Sequence, residues 1–310
     1  MQLELTSPAC LLLGVVNIDG AICQLGLALQ YPPIQLSARA STGLLVTGGR
    51  ADLARQQAER FLAHHRLPGA AEIEIELAVP SHMGLGSQPL MGLAVARALA
   101  ELHGLPIEQS AEHAAAAGLL TPGDELAART FEQGGLLLVD AGGRAVRRQA
   151  IPPRGDEADW VWVLVLPRVP AKALARLEAT RTTALRAVAR SAVVETALLA
   201  ETMFEAAAAD DIAAFAGALG QLQLLNQAAL DRAGKLAPLG DDDRATLATM
   251  REHGALVCGR APGGLALYAL VRGGGPSRAM RRALTERLGL LGPAVMASIV
   301  DCAGARGQTS

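Results

Sequence analysis

Pro80-Ser81-His82-Met83-Gly84-Leu85-Gly86-Ser87-Gln88 is a glycine-rich loop set between two well-patterned segments. Ahead of it, Ile73, Ile75, Leu77 and Val79 alternate with Glu72, Glu74, Glu76 and Ala78, the period of a half-buried strand. Behind it, Met91, Val95, Leu99 and Leu102 recur at three- and four-residue spacing, the apolar stripe of a helix. A strand that feeds a glycine turn into a helix N-terminus gathers unpaired backbone N–H groups beside the positive end of the helix dipole. Such a place suits a phosphate. The loop lacks the Gly-Lys-Ser/Thr ending of a P-loop and has no lysine near it, and Pro89 stands where a dinucleotide fingerprint has its third glycine. From pattern alone, anion binding and an ordinary tight turn that needs flexible glycines are both open readings.

The 310-residue chain is long enough for one large or two moderate domains. Hydrophobic residues make up 51% and aromatic ones 3%, so the core is built from Ala, Leu and Val. A net charge of −2 argues against nucleic acid as a partner, where a basic excess is expected. No Lys or Arg precedes Arg39, so a signal-peptide n-region is not expected, and the apolar run over 10–16 is too short to span a bilayer. Cys10, Cys23, Cys258 and Cys302 are scattered without paired spacing and read as reduced core cysteines. No His/Cys cluster suggests zinc. These features predict a cytoplasmic protein with no membrane partner.

Strands are expected over 11–18, 25–29 and 34–40, with Pro32-Pro33 forcing a turn between the second and third. A helix over 51–65 precedes the strand, loop and helix quoted above. A further helix over 107–119 leads to Thr121-Pro122-Gly123-Asp124, a turn or helix start, and a strand over 135–141 closes this half. Ile151-Pro152-Pro153-Arg154-Gly155-Asp156-Glu157 is the best boundary, dividing a domain over 1–155 from one over 156–310. The second half reads as a buried strand over 160–166, alanine-rich helices over 184–234 and a helix over 241–253. Strands over 255–258 and 265–271, a helix over 278–288 and a strand over 294–300 follow. Gly273-Gly274-Gly275 reads as a short flexible turn. Strands alternating with helices on one small sheet make this domain α+β.

Pro80-x-x-x-Gly84-Leu85-Gly86-Ser87 resembles the second motif of the GHMP kinase superfamily, whose loop wraps the phosphates of a nucleotide. Within that superfamily, the stretch from His82 to Ala100 is similar to the loop and alanine-rich helix of the β-ribofuranosylaminobenzene 5′-phosphate synthase family. Phe131-Glu132-Gln133-Gly134-Gly135, the apolar 136–139 and Asp140-Ala141-Gly142-Gly143 resemble a second segment of that family. Asn17-Ile18-Asp19-Gly20 sits in its order and spacing near the start. The resemblance implies an α+β, GHMP kinase-like two-domain fold, with a ribosomal protein S5 domain 2-like N-terminal half and a ferredoxin-like C-terminal half. It implies a decarboxylating pentosyltransferase of tetrahydromethanopterin biosynthesis that joins phosphoribosyl pyrophosphate to 4-aminobenzoate, and, by analogy with the superfamily, a homodimer.

On this resemblance Gly84, Leu85, Gly86, Ser87 and Gln88 supply phosphate donors, and His82 contacts a phosphate or acts as an acid. Gly134 and Gly135 bind substrate, and Glu132 ahead of them orients it or a metal-bound water. Asp19 or Asp140, each just after a strand, would hold Mg²⁺ or serve the reaction, against the rival reading of plain turn residues. Several basic groups of the family are missing: Cys10-Leu11-Leu12 stands in place of its Arg-Leu-His, which leaves Arg129 or Arg260 to compensate. Two rivals therefore stand beside a divergent synthase. One is an ATP-dependent small-molecule kinase with Asp124 as its catalytic aspartate; the other is a non-catalytic metabolite-binding subunit.

Overall fold

An apolar run over 9–16 and the Asp19-Gly20 pair that follows it set the first half of the architecture. In the computed structural model, which describes residues 2–167, 194–232, 239–262, 264–289 and 292–310, strands β1 (Gln2–Ile18) and β2 (Ala21–Ala40) form one long antiparallel hairpin. Asp19 and Gly20 have φ of 51° and 86°, the paired positive values of a type I′ turn, whose twist matches a hairpin. The Asn17 side chain accepts the N–H of Gly20 at 2.9 Å. Residues 9–16 are buried throughout, as in a strand covered on both faces.

Pro32-Pro33 does not force the expected turn between two strands; both prolines lie inside β2. Pairing with β1 skips from Leu29–Ala9 to Ile34–Ser7, so residues 30–33 bulge opposite Pro8, where no ladder N–H is asked of a proline. At the bulge Gln30 and Tyr31 donate their N–H groups to Ile299 O (3.1 Å) and Ser298 Oγ (2.9 Å). There β2 also changes partner. Residues 23–27 pair with β5 (Leu136–Asp140), and 35–40 with β4 (Ala71–Leu77). Three short strands complete the sheet: β3 (Leu45–Gly48) along β4, β6 (Ala145–Gln149) along β5 and β11 (Arg306–Thr309) along β1. The order is β11-β1-β2-β4-β3, with β5 and β6 continuing from β2.

Helices α1 (Ala51–His65), α2 (Ser87–Leu102), α3 (Ser110–Ala116) and α4 (Glu125–Gln133) cover this sheet. α2 lies at the centre, buried without a break from Pro89 to Ala96, against β1, β2 and the other three. The long helical stretch expected over 184–234 is two helices, α5 (Val194–Ala209) and α6 (Ile212–Arg232), turning at Asp210 with φ of 58°. Its parts at 184–193 and 233–234 lie outside the described residues.

α5 and α6 also pack on β1, and they finish its hydrogen bonding. β11 reaches only Leu3–Thr6, so farther along β1 the outward backbone has no strand beside it among the described residues. Asn226 of α6 supplies the missing ladder at Val15, accepting its N–H at 2.8 Å and donating to its carbonyl at 3.1 Å. Thr196 of α5 accepts the N–H of Asn17 at 3.1 Å. Asn226 is 2% exposed. Asn226→Ala is expected to destabilise the protein by about 2 kcal/mol, the penalty of leaving buried backbone groups unpaired. A urea unfolding midpoint equal to wild type would contradict this account.

The second sheet has the order β10-β7-β9-β8, all antiparallel: β7 (Trp160–Leu166), β8 (Val257–Arg260), β9 (Leu267–Arg272) and β10 (Ala294–Ser298). With helices between β7 and β8 and between β9 and β10, this is the ferredoxin-like arrangement. β7 alternates strictly. Val161, Val163 and Val165 join the core beneath α7 (Asp241–Glu252) and α8 (Gly274–Leu288), while Trp160 and Trp162 face Phe215 of α6 at ring separations of 5.0 and 6.4 Å. Gly274 and Gly275 are helical rather than a flexible turn; their neighbour Gly273, at φ 85°, lets residues 156–159 approach closely.

The expected division at 155/156 does not hold to the end of the chain. After β10, Val300 bridges Leu29, Asp301 donates its N–H to Ala28 O at 3.0 Å, and β11 joins β1. The closing segment belongs to the first sheet.

Candidate functional site

The loop between β4 and α2 is built from residues bent into left-handed conformations: His82 at φ 63°, Gly84 at 79° and Gly86, the N-cap of α2, at 69°. Two neighbours fix it. Cys10 of β1 donates its N–H to Leu85 O at 3.1 Å, and Leu265 and Ala266, just before β9, donate theirs to His82 O and Met83 O at 3.1 Å each. Gly264 approaches so closely that a methyl group built on it would overlap the backbone between Met83 and Gly84. Among the described residues, the backbone N–H groups of Gly84, Leu85, Gly86, Ser87 and Gln88 donate to no protein acceptor. They converge at the start of a buried helix, where partial positive charge accumulates.

One cavity opens over this loop. It is lined by His82, Gly84, Leu85, Gly86, Ser87 and Gln88, by Asp124 and Thr121, and by a face of α1 that carries Gln56, Gln57 and Arg60. Asp124 is held by its own turn: Oδ2 accepts the Thr121 N–H at 2.9 Å and the Thr121 hydroxyl at 2.8 Å. Gln24 of β2 anchors that turn, donating to Gly123 O at 2.9 Å and accepting the Leu126 N–H at 3.2 Å. Gln57 of α1 is 4% exposed; its Nε2 donates to Gln88 O at 3.2 Å, and its Oε1 is buried without a partner. Arg60 is exposed and, among the described residues, makes no hydrogen bond or ion pair. Gln24, Gln57 and Arg60 carry no motif. Only the approach of α1 and β2 to the loop brings them in.

Five residues expected at the site lie elsewhere. Asp19 is the exposed tip of the β1–β2 hairpin, where an Asp-Gly pair satisfies the turn and nothing more. Asp140 ends β5 and closes a hairpin turn: its Oδ1 accepts the N–H groups of Gly142 (3.0 Å) and Arg144 (2.9 Å). These bonds, that from Arg144 first, and the Arg144 guanidinium hold its carboxyl below the usual carboxylate range. Its metal-holding role is withdrawn. Glu132 on α4 does not line the cavity and pairs with Arg129 at 2.6 Å. Gly134 and Gly135 do not touch the cavity either; they receive the closing segment of the chain. Gly135 donates its N–H to Asp301 O at 2.6 Å, and Ala305 donates to Phe131 O at 2.6 Å. The segments Phe131–Gly135 and Asp301–Gly304 are thus one structural joint.

Arg129 is committed to Glu132 and to the Gly143 carbonyl, and neither it nor Arg260 lines the cavity, so the expected compensation for missing basic groups does not come from them. Among the described residues no three His, Cys, Asp or Glu side chains form a metal-ligating group. No helix among them is long and apolar enough to cross a membrane.

Comparison with known proteins agrees with this geometry. Residues 52–128, from α1 through the loop and α2 to the Asp124 turn, match the family model described as GHMP kinases N terminal domain. Over 185 residues, 54% of this chain, the sequence is 30% identical to the beta-ribofuranosylphenol 5′-phosphate synthase of Archaeoglobus fulgidus. That match spans 58% of the relative's length. Among solved structures, homoserine kinase from Cytophaga hutchinsonii aligns with a TM-score of 0.66 at 15% identity, over 99% of this chain and 97% of that one. The mevalonate diphosphate decarboxylase of Enterococcus faecalis aligns with a TM-score of 0.64 at 13% identity, over 100% and 99%. At such identities the likeness speaks for fold alone. The chain has the GHMP kinase-like fold, and most residues lining its cavity lie within the stretch matched by that N-terminal domain model.

Proposed function

We propose that the cavity binds phosphoribosyl pyrophosphate and transfers its ribosyl group to an aromatic acid, as a divergent relative of the ribofuranosyl-phenol and -aminobenzene synthases. The observation that carries this reading is the set of unbonded N–H groups of Gly84–Gln88 facing a cavity within the stretch matched to a phosphate-handling family. The relative's name specifies a phenol, so the acceptor class is a benzoate carrying a para hydroxyl or amino group.

In the step proposed, the bond between ribosyl C1 and the pyrophosphate oxygen breaks, and its electron pair leaves with pyrophosphate. C1 bonds to the ring carbon bearing the carboxylate, and carbon dioxide departs from that carbon, returning its electron pair to the ring. The loop N–H groups stabilise charge that grows on the leaving pyrophosphate, where preorganised donors lower a barrier most. His82, at the lip of the same loop, contacts a phosphate oxygen. Asp124 faces the cationic ribosyl carbon, and its carboxylate needs no reorientation because Thr121 fixes it.

The donor set also fits Mg²⁺, which commonly takes one carboxylate and substrate phosphates. Asp124 and the Ser87 hydroxyl line the cavity together and would hold it, and the ion would neutralise pyrophosphate charge.

A kinase is the second reading, favoured by Asp124 standing in the cavity beside the loop. Calorimetric titration with phosphoribosyl pyrophosphate and with ATP separates the two. Binding of the former, with release of carbon dioxide from 4-hydroxybenzoate or 4-aminobenzoate, is expected. ATP binding without it would overturn the synthase reading in favour of a kinase.

A further inference from the structure

We infer that Arg60 of α1 is the cation that holds the phosphates of the ligand against the glycine loop. This deepens the functional reading above but needs only that the ligand bear a phosphate. Three observations lead to it. Arg60 lines the cavity in company with the loop, and among the described residues it makes no hydrogen bond or ion pair. Several other arginines around the first sheet are engaged: Arg39 with Glu72, Arg97 with Ala305 O, Arg129 with Glu132, Arg144 with Asp140 and Arg148 with Gln133 O. Gln57, one helical turn before Arg60, ties this face of α1 to Gln88 at the start of α2, and its buried Oε1 lacks a partner. The guanidinium calls for an anion and the orphan Oε1 for a donor such as a ligand hydroxyl, neither of which the described residues supply.

The charge balance supports the assignment. Asp124 is the only carboxylate among the described lining residues, and no lysine joins it. An anionic ligand therefore meets Arg60 as its one permanently charged partner. A guanidinium pairs with phosphate through two parallel N–H bonds, which an ammonium cannot reproduce. Arg60 thus does from α1 what a lysine does within the loop of other phosphate sites.

Calorimetry on wild type, Arg60→Gln and Arg60→Lys tests this with inorganic pyrophosphate, phosphoribosyl pyrophosphate and ATP as probes. For whichever phosphate probe wild type binds, Arg60→Gln is expected to weaken affinity about tenfold to a hundredfold, the range for a lost charged hydrogen bond, with Arg60→Lys between the two. Binding of phenol, which carries neither phosphate nor charge, should stay within twofold, and the unfolding midpoint of so exposed a side chain should not move. An unchanged phosphate affinity in Arg60→Gln overturns the assignment, as does equal weakening of every ligand. If ATP replaces phosphoribosyl pyrophosphate as the bound probe, the synthase reading falls while the Arg60 assignment is still judged on ATP. Wild-type silence toward all three phosphates overturns both.

Discussion

Gly264→Ala is expected to cost the protein both its ligand and several kcal/mol of stability. A methyl group at position 264 would overlap the backbone nitrogen of Gly84 and the carbonyl carbon of Met83. Both are main-chain atoms, so no side chain can swing aside to relieve the clash. The neighbouring bonds from Leu265 and Ala266 to His82 O and Met83 O hold the two segments face to face. Either these break or the loop shifts toward the cavity. Overpacking of this kind costs about 1–3 kcal/mol, with the loss of two buried hydrogen bonds adding about 1–3 more. A displacement of about 1 Å in a positioning group reduces function about a hundredfold. Calorimetry with phosphoribosyl pyrophosphate and a urea melt check this. A variant that binds normally at full stability would mean that the second sheet does not hold the loop in place.

Gly134→Ala is expected to unfold or nearly unfold the protein for a reason unrelated to ligand. Gly134 sits at φ 63° and ψ −174°, a region essentially reserved for glycine. A methyl group there would lie 2.6 Å from Asp301 O, 2.7 Å from the Gly304 nitrogen and 2.8 Å from the Ala303 nitrogen. Backbone strain of about 1–3 kcal/mol and overpacking of similar size together approach the stability of a typical domain. Differential scanning calorimetry should show a loss of at least 10 °C. Reduced ligand affinity in a variant that melts like wild type would return Gly134 to the substrate site.

This contrast explains what could be read in advance. The strand, loop and helix over 71–102 were legible because the hydrophobic period switches from two to nearly four across a glycine turn, a signal carried by the residues themselves. Asp124, offered only as the catalytic residue of a rival kinase, lines the same cavity as the loop. Asp19 and Asp140 misled because an aspartate after a strand has the same appearance whether it closes a turn or faces a substrate. Phe131–Gly135 was recognisable, yet its glycines serve a crossing of two chain segments far apart in sequence. Arg60 was invisible for the opposite reason. On α1 it sits among charged and amide residues that look like a solvated face, and only tertiary packing turns that face toward the loop. β11, with the sequence Arg-Gly-Gln-Thr, offers no apolar alternation from which its pairing with β1 could be read.

The attachment of β11 to β1 has a bearing on the order in which the protein takes shape. Residues Leu3–Thr6 leave the ribosome well before their partners Arg306–Thr309, which follow only after the whole ferredoxin-like sheet has been made. Until then the outer edge of β1 is an open template, and the joint at Gly134 waits for Asp301. Pairings this distant in sequence form slowly, because the chain between them must first lose its freedom. The nascent first sheet is therefore the stage at which a chaperone has most to protect.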